Sequence, residues 1–236
     1  MNSKDVTIIT GASKGIGESI AYKFASENHH VVLIGRNEEN LKRISNKINT
    51  YYGSSEYYAG SVTNVEFIKK SFNQVIERHG RIDHLINNAG IMIIKKFVDA
   101  SLEEFQSQME TNMYGVFICT KEALPSMIER QTGSIINISS LAGKNNFVGG
   151  TMYSTTKHAL MGFSKSLMLE VRSYNIRVAI VCPGSVSTDL LLNSPMTPKD
   201  KGKILQPEDI AEVVFSIIKL PPRALVSEIE IRPTNP

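Results

Sequence analysis

The chain has 236 residues, enough for one α/β domain with a sizeable core, and 42% hydrophobic against 21% charged residues excludes a disordered chain. A formal net charge of +3 with no basic arm argues against a nucleic-acid partner. No run approaches about 18 apolar residues, and the opening MNSKDVTIITGAS has no apolar signal core, so neither a membrane span nor a leader is expected.

In chain order, short β-branched runs alternate with longer helical patterns. Val6–Thr10 reads as a strand and Gly15–Asn28 as a helix. Val31–Gly35, Glu56–Ala59 and His84–Asn87 read as strands, with helices at Glu38–Thr50 and Val65–His79 between them. A short helix is expected near Ser101–Phe105 and a long one near Gln106–Arg130. Ser134–Ser139 and Arg177–Cys182 are strands around a helix at Tyr153–Ser173. A helix at Pro207–Leu220 and a closing strand at Leu225–Ile231 end the pattern.

Apolar runs without alternation mark strands covered on both faces. Strict strand–helix alternation then gives a doubly wound, seven-stranded parallel sheet with helices on both faces. Residues 1–236 read as one dinucleotide-binding and catalytic domain. Ser185–Leu205 is the least regular stretch and reads as a substrate loop. Cys119 and Cys182 lie in apolar runs and read as buried thiols of a cytoplasmic chain. No His or Cys spacing matches a metal motif.

Four clusters carry chemistry. Gly11-Ala12-Ser13-Lys14-Gly15-Ile16-Gly17 joins the first strand to the first helix, where a helix N-terminus can receive a pyrophosphate. The second strand ends in Gly35-Arg36 with no acid at its tip. An arginine there suits a ribose 2′-phosphate rather than a 2′-hydroxyl, and Lys14 adds a second cation. Tyr153 and Lys157 stand four apart at the start of a helix, on one face. An ammonium at about 4 Å and an effective dielectric near 20 attracts a phenolate by roughly 4 kcal/mol. That pull is expected to bring the tyrosine down toward working pH, against some desolvation. Ser139 and Ser140 end the fifth strand, at the carboxyl side where open α/β sheets bind ligands.

The Gly-x3-Gly-x-Gly spacing and the Tyr-x3-Lys pair resemble the short-chain dehydrogenase/reductase family. So do Asn87-Asn88-Ala89-Gly90 and Pro183-Gly184-Ser185-Val186-Ser187-Thr188. The likeness runs from Val6 to Ile231. It implies NADP(H), hydride transfer to or from a small carbonyl or alcohol, and Tyr153 as acid/base. Lys157 would hold the nicotinamide ribose, and Ser140, about 13 residues before the tyrosine, would polarise the carbonyl. Asn112 would hold a water for proton relay.

Gly11, Ser13, Lys14, Gly15, Ile16, Gly17, Arg36, Asn88, Ala89 and Gly90 would line the cofactor. Pro183, Gly184, Val186 and Thr188 would meet the carboxamide end. Ser61-Val62 stands where the family has Asp-Val against the adenine, which implies a weaker adenine contact.

The substrate pocket is expected from Ile91–Val98, Leu141–Gly150 and Ser185–Leu205, with Leu141, Phe147, Leu190, Leu191 and Met196 apolar and Asn145 and Asn146 polar. Three alternatives accompany the general carbonyl reductase. They are a 3-oxoacyl-(acyl-carrier-protein) reductase with Lys144, Arg130 and Arg172 as carrier-facing cations, a 3-hydroxy-acid or amino-acid dehydrogenase, and a non-catalytic NADPH sensor. The two long helices would carry a homodimer or homotetramer interface.

Overall fold

The computed structural model describes residues 4–198 and 200–235. Seven strands form one parallel sheet: β1 (Val6–Thr10), β2 (His30–Gly35), β3 (Ser54–Ala59), β4 (His84–Asn87), β5 (Gly133–Ile138), β6 (Ile176–Pro183) and β7 (Glu228–Ile231). Their order is β3-β2-β1-β4-β5-β6-β7. The order reverses beside β1, which opens a crevice beyond the carboxyl ends of β1 and β4.

The uninterrupted apolar runs divide residue by residue between two layers. Ile9, Val31, Leu33, Ile136 and Val181 pack toward α1 (Gly15–Ser26), α2 (Glu38–Tyr51) and α8 (Pro207–Lys219). Their neighbours Ile8, Val32, Ile135 and Val178 pack toward α3 (Val65–His79), α5 (Gly115–Arg130) and α6 (Thr151–Val171). A strand feeding both layers has no polar face, which is why its sequence does not alternate. Asn37 and Asn64 start α2 and α3 by accepting the N–H groups of Asn40 and Phe67.

Two elements depart from the sequence reading. The expected long helix at Gln106–Arg130 is broken: α4 (Leu102–Met109) passes through a π-turn at Glu110–Tyr114 before α5 begins. The Ser101/Glu104 capping box fixes where α4 starts. The last strand is shorter than Leu225–Ile231, because β7 pairs with β6 only over Ile180–Pro183.

Ser185–Leu205 is closed at its base. Ser187 N–H donates to the Leu205 carbonyl at 2.7 Å, and Leu205 N–H to the Ser185 carbonyl at 3.0 Å. The loop contains the short helix α7 (Asp189–Leu192).

Candidate active site

The carboxyl ends of β1, β4, β5 and β6 meet around one cleft. Its floor begins with Thr10. The Thr10 hydroxyl accepts the N–H groups of Asn88 and Ala89 at 3.0 and 3.1 Å, and donates to the Ile86 carbonyl at 3.3 Å. The Asn88 amide returns the contact by donating to the Thr10 and Gly11 carbonyls at 3.0 and 3.1 Å. Asn88 therefore locks the glycine turn onto the tip of β4.

Glycine is required at two points of this lock. Gly11 has φ +65° and a Cβ there would lie 2.8 Å from Ala89 Cα; a Cβ on Gly17 would lie 2.3 Å from the Gly11 carbonyl oxygen. The turn presents the start of α1 to the cleft, with Ile16 on its wall. The N–H groups of that first turn have no helical partner and can receive an anion.

Apart from Tyr153 and Lys157, the expected cofactor residues lie at or just beyond the carboxyl ends of β1, β2, β3, β4 and β6. The tip of β2 is bonded to the turn, Ala12 N–H donating to the Ile34 carbonyl at 3.1 Å, and Gly35 lies against Ser13. Arg36 follows at once and is exposed. Lys14 is already engaged by Asp189 of α7 at 2.9 Å, which ties the glycine turn to the loop after β6. The Ser61 hydroxyl pairs with Thr63 at 2.9 Å, while Val62 is buried against Gly115. Gly90, Pro183, Gly184, Val186 and Thr188 line the far half of the cleft, where Thr188 packs beside Gly15.

The residues expected to be catalytic converge at the inner end. Tyr153 and Lys157 rise one turn apart from α6, 6% and 5% exposed, with Lys157 Nζ 5.8 Å from the phenol ring centre. Lys157 donates to the Ile138 carbonyl at the end of β5, at 3.0 Å. Ser140 faces Tyr153 while its hydroxyl accepts the Ala142 N–H at 3.1 Å. Ser139, the other serine of the pair, is buried with no hydrogen-bond partner for its hydroxyl.

Asn112 sits in the π-turn, which aims its amide at the loop after β4. Its Oδ1 accepts the Ile91 N–H at 2.8 Å, and its Nδ2 donates to the Ile91 carbonyl and the Thr156 hydroxyl at 2.9 and 3.0 Å. Both amide protons are spent, and one lone pair of Oδ1 is left. That oxygen and Lys157 Nζ both lie within 4.0 Å of the point where a Gly90 side chain would begin.

The expected direction of the Tyr153 pKa is reversed in the free protein. Burial pushes the phenol up to about 12, and the Ser140 hydroxyl offsets only part of this. The same burial brings the Lys157 ammonium down to about 8. The attraction expected from the spacing requires the ammonium within about 4 Å of the phenolate. Here Lys157 points at the Ile138 carbonyl instead, and desolvation dominates.

Beside this set is a cavity of about 360 Å³. Leu141, Phe147, Leu190, Leu191, Met196, Asn145 and Asn146 line it as expected, joined by Ile91 and Met92. Arg232, from just beyond β7, also lines it and was not anticipated. Nor was Asp189, although it adjoins Thr188 of the sixth-strand motif. The three cations expected to face a carrier do not gather at the mouth. Lys144 is held by Glu228 and Glu230. Arg130 binds Asp83 at the amino end of the sheet, and Arg172 follows the far end of α6.

Residues 5–198 match the family described as short chain dehydrogenase. The chain belongs to this family. An uncharacterized oxidoreductase of Staphylococcus aureus (strain USA300) is 34% identical over 228 residues, covering 97% of this chain and 96% of its own. A 3-oxoacyl-[acyl-carrier-protein] reductase of Aquifex aeolicus is 36% identical over 218 residues, covering 89% and 88%. The alcohol dehydrogenase of the archaeon Thermococcus sibiricus, solved with 5-hydroxy-NADP, superposes with a TM-score of 0.90 at 29% identity, covering 98% of this chain and 97% of that one. The protein is thus a short-chain dehydrogenase/reductase and an oxidoreductase. No described helix of this dehydrogenase is long and apolar enough to cross a membrane.

Proposed function

We propose that this dehydrogenase uses NADP(H), within a single domain, to interconvert a small carbonyl compound and its secondary alcohol. The observation that carries the reading is the meeting of Tyr153, Ser140 and Lys157 at the inner end of a largely apolar cavity that continues into the glycine cradle. The nicotinamide supplies or accepts the hydride.

This chain's residues do the rest. Tyr153, held protonated by burial, donates its phenolic proton to the carbonyl oxygen. Ser140 donates a hydrogen bond to the same oxygen as charge gathers on it. Lys157 binds the ribose hydroxyls, and its positive charge favours the phenolate left behind. Asn112 anchors Ile91 and offers its free lone pair to a water that restores the proton. Leu141, Phe147 and Leu190 exclude bulk water. Gly11, Gly15 and Gly17 cradle the pyrophosphate, and Arg36 grips the 2′-phosphate.

A free small molecule is favoured over a carrier-bound one, because Lys144, Arg130 and Arg172 do not gather at the mouth. Arg232 on the cavity wall supports a second reading, a substrate bearing a carboxylate, although Glu230 shares its charge at 2.8 Å. Tyr114 and Phe117, exposed at the start of α5, support a homodimer or homotetramer across the α5 and α6 faces, which light scattering checks.

The test is a panel of aldehydes, ketones, 3-oxo acids and 3-oxoacyl thioesters followed by NADPH absorbance. Tyr153→Phe is expected to lower turnover about 10³-fold and leave NADPH affinity within about twofold. Arg36→Leu is expected to weaken NADPH about tenfold or more and leave NADH unchanged. NADPH binding without turnover of any panel member means a sensor rather than an enzyme.

A further inference from the structure

The amino-terminal end of the sheet, opposite the active site, holds a second constellation. β2, β3 and α3 bring His30, Glu56 and His79 together, residues with no motif spacing in the sequence. Alternation places His30 on the same sheet face as Val32, toward α3. His79 comes from the last turn of that helix.

The donor atoms converge. His79 Nε2 lies 2.9 Å from Glu56 Oε1, and His30 Nε2 lies 3.6 Å from the same oxygen. The three ligand atoms lie within 4.8 Å of one another. A tetrahedral zinc ion with bonds of about 2.0–2.1 Å needs donors about 3.3 Å apart, so small side-chain shifts suffice.

The surrounding groups orient these donors. His30 Nδ1 is 3.0 Å from the Ser54 hydroxyl. With Nδ1–H donating there, the Nε2 lone pair faces the cluster. His30 Nε2 is buried and makes no contact of hydrogen-bond length, Glu56 Oε1 being 3.6 Å away, so one ligand position is aimed into the cluster. Glu56 Oε2 is held by the Tyr58 hydroxyl at 3.2 Å and by Arg78, which leaves Oε1 for the cluster. Metal-ligating histidines and carboxylates are oriented in this way by a supporting shell. The His79 side chain is 26% exposed, which opens one side to an entering ion and its water.

We infer that His30, Glu56 and His79 bind a divalent first-row cation, with Zn²⁺ the best fit. Two imidazoles and one carboxylate favour zinc over calcium or magnesium, which prefer all-oxygen sites. The ion would tie edge strand β3 and the end of α3 to β2, at a distance from the chemistry. A second grouping, Asp5 with His29 and His84, is a poorer set. Its carboxylate, Asp5, has a side chain 47% exposed against 16% for Glu56, so it is held less firmly in place. It serves as the internal control.

The experiment titrates the chelator-treated full chain with Zn²⁺ by calorimetry and with Co²⁺ by visible absorbance. One saturable equivalent is expected, with a Co²⁺ ligand-field band and a Tm that rises with Zn²⁺ concentration. His79→Gln should weaken binding about tenfold or more and abolish the band, while His84→Gln leaves both unchanged. Unaltered NADPH turnover in His79→Gln confirms that the variant is folded; should it not fold, His30→Gln takes its place. Absence of a saturable equivalent in the parent chain means a plain ion pair and overturns the inference. So does parent-like binding in the folded His79 or His30 variant, or loss of binding in His84→Gln.

Discussion

The two ends of the sheet treat buried charge in opposite ways. At the amino end Asp83, 4% exposed, is bound by Arg81 at 2.5 Å and Arg130 at 2.9 Å, and accepts the Val6 N–H at 2.8 Å. At the carboxyl end Lys157 is as deeply buried, yet it faces a carbonyl rather than a carboxylate. A buried charge with partners stays charged and ties elements together. One without a counter-ion holds its proton loosely, which suits a site that moves protons. The same sheet is a brace at one end and, under the proposed function, a reactor at the other.

The comparison breaks most visibly at Asp83. Asp83→Ala leaves two guanidinium groups without their shared carboxylate. The cost is expected to be about 2–4 kcal/mol, below the fully buried range because both arginines are partly solvated. For a chain of this size that lowers Tm by roughly 5–15 °C. Thermal and urea unfolding measure it, and turnover by the folded fraction should be unchanged. A stable variant with damaged turnover would mean that the two ends are not separate in function.

This division also decides what the sequence disclosed. Strand and helix order was legible because two-sided burial demands unbroken apolar runs, and Ile8 and Ile9 each serve a different layer. The tight glycine turn was legible because close backbone approach admits only glycine at Gly11 and Gly17. The π-turn at Glu110–Tyr114 was not, since helical periodicity continues on both sides of one wide turn. Nor was the Tyr153 pKa, because spacing along a helix fixes neighbours but not solvent access. The amino-end clusters join residues as far apart as Arg130 and Asp83, or His30 and His79, and no local pattern marks them.

Lys157 sharpens the comparison through pH. Its folded pKa is about 8, below the ordinary 10.5, so between these values the unfolded chain binds more protons than the folded one. Stability contributed by this group therefore rises with pH across that window. Below about pH 8 both states are protonated and the folded state bears the full desolvation penalty. Above about 10.5 both are neutral and it bears none. Relative to Lys157→Met, the cofactor-free parent is expected to gain up to about 3 kcal/mol between pH 8 and 10.5. Urea unfolding of both proteins across that range measures the difference. A pH-independent gap would mean that the ammonium is well solvated, and the contrast between the two ends would fail.

The smallest effect concerns an ion pair that ties the glycine turn to α7. Lys14 and Asp189 meet at 2.9 Å with side chains 62% and 60% exposed. Such a pair is worth about 0.2–1 kcal/mol, so it opens readily. Under the proposed cofactor assignment a 2′-phosphate near Arg36 competes with Asp189 for Lys14. Asp189→Asn should then tighten NADPH binding by roughly 1.4- to 5-fold and leave NADH binding unchanged. The gain should fade at about 1 M salt, where screening acts within about 3 Å. Fluorescence titration with both cofactors at two salt concentrations reads all of this. Equal tightening toward NADH would place the competition at the pyrophosphate instead. At the amino end the Asp83 contacts are shielded and costly to part; at the carboxyl end the exposed Lys14–Asp189 pair is cheap to break.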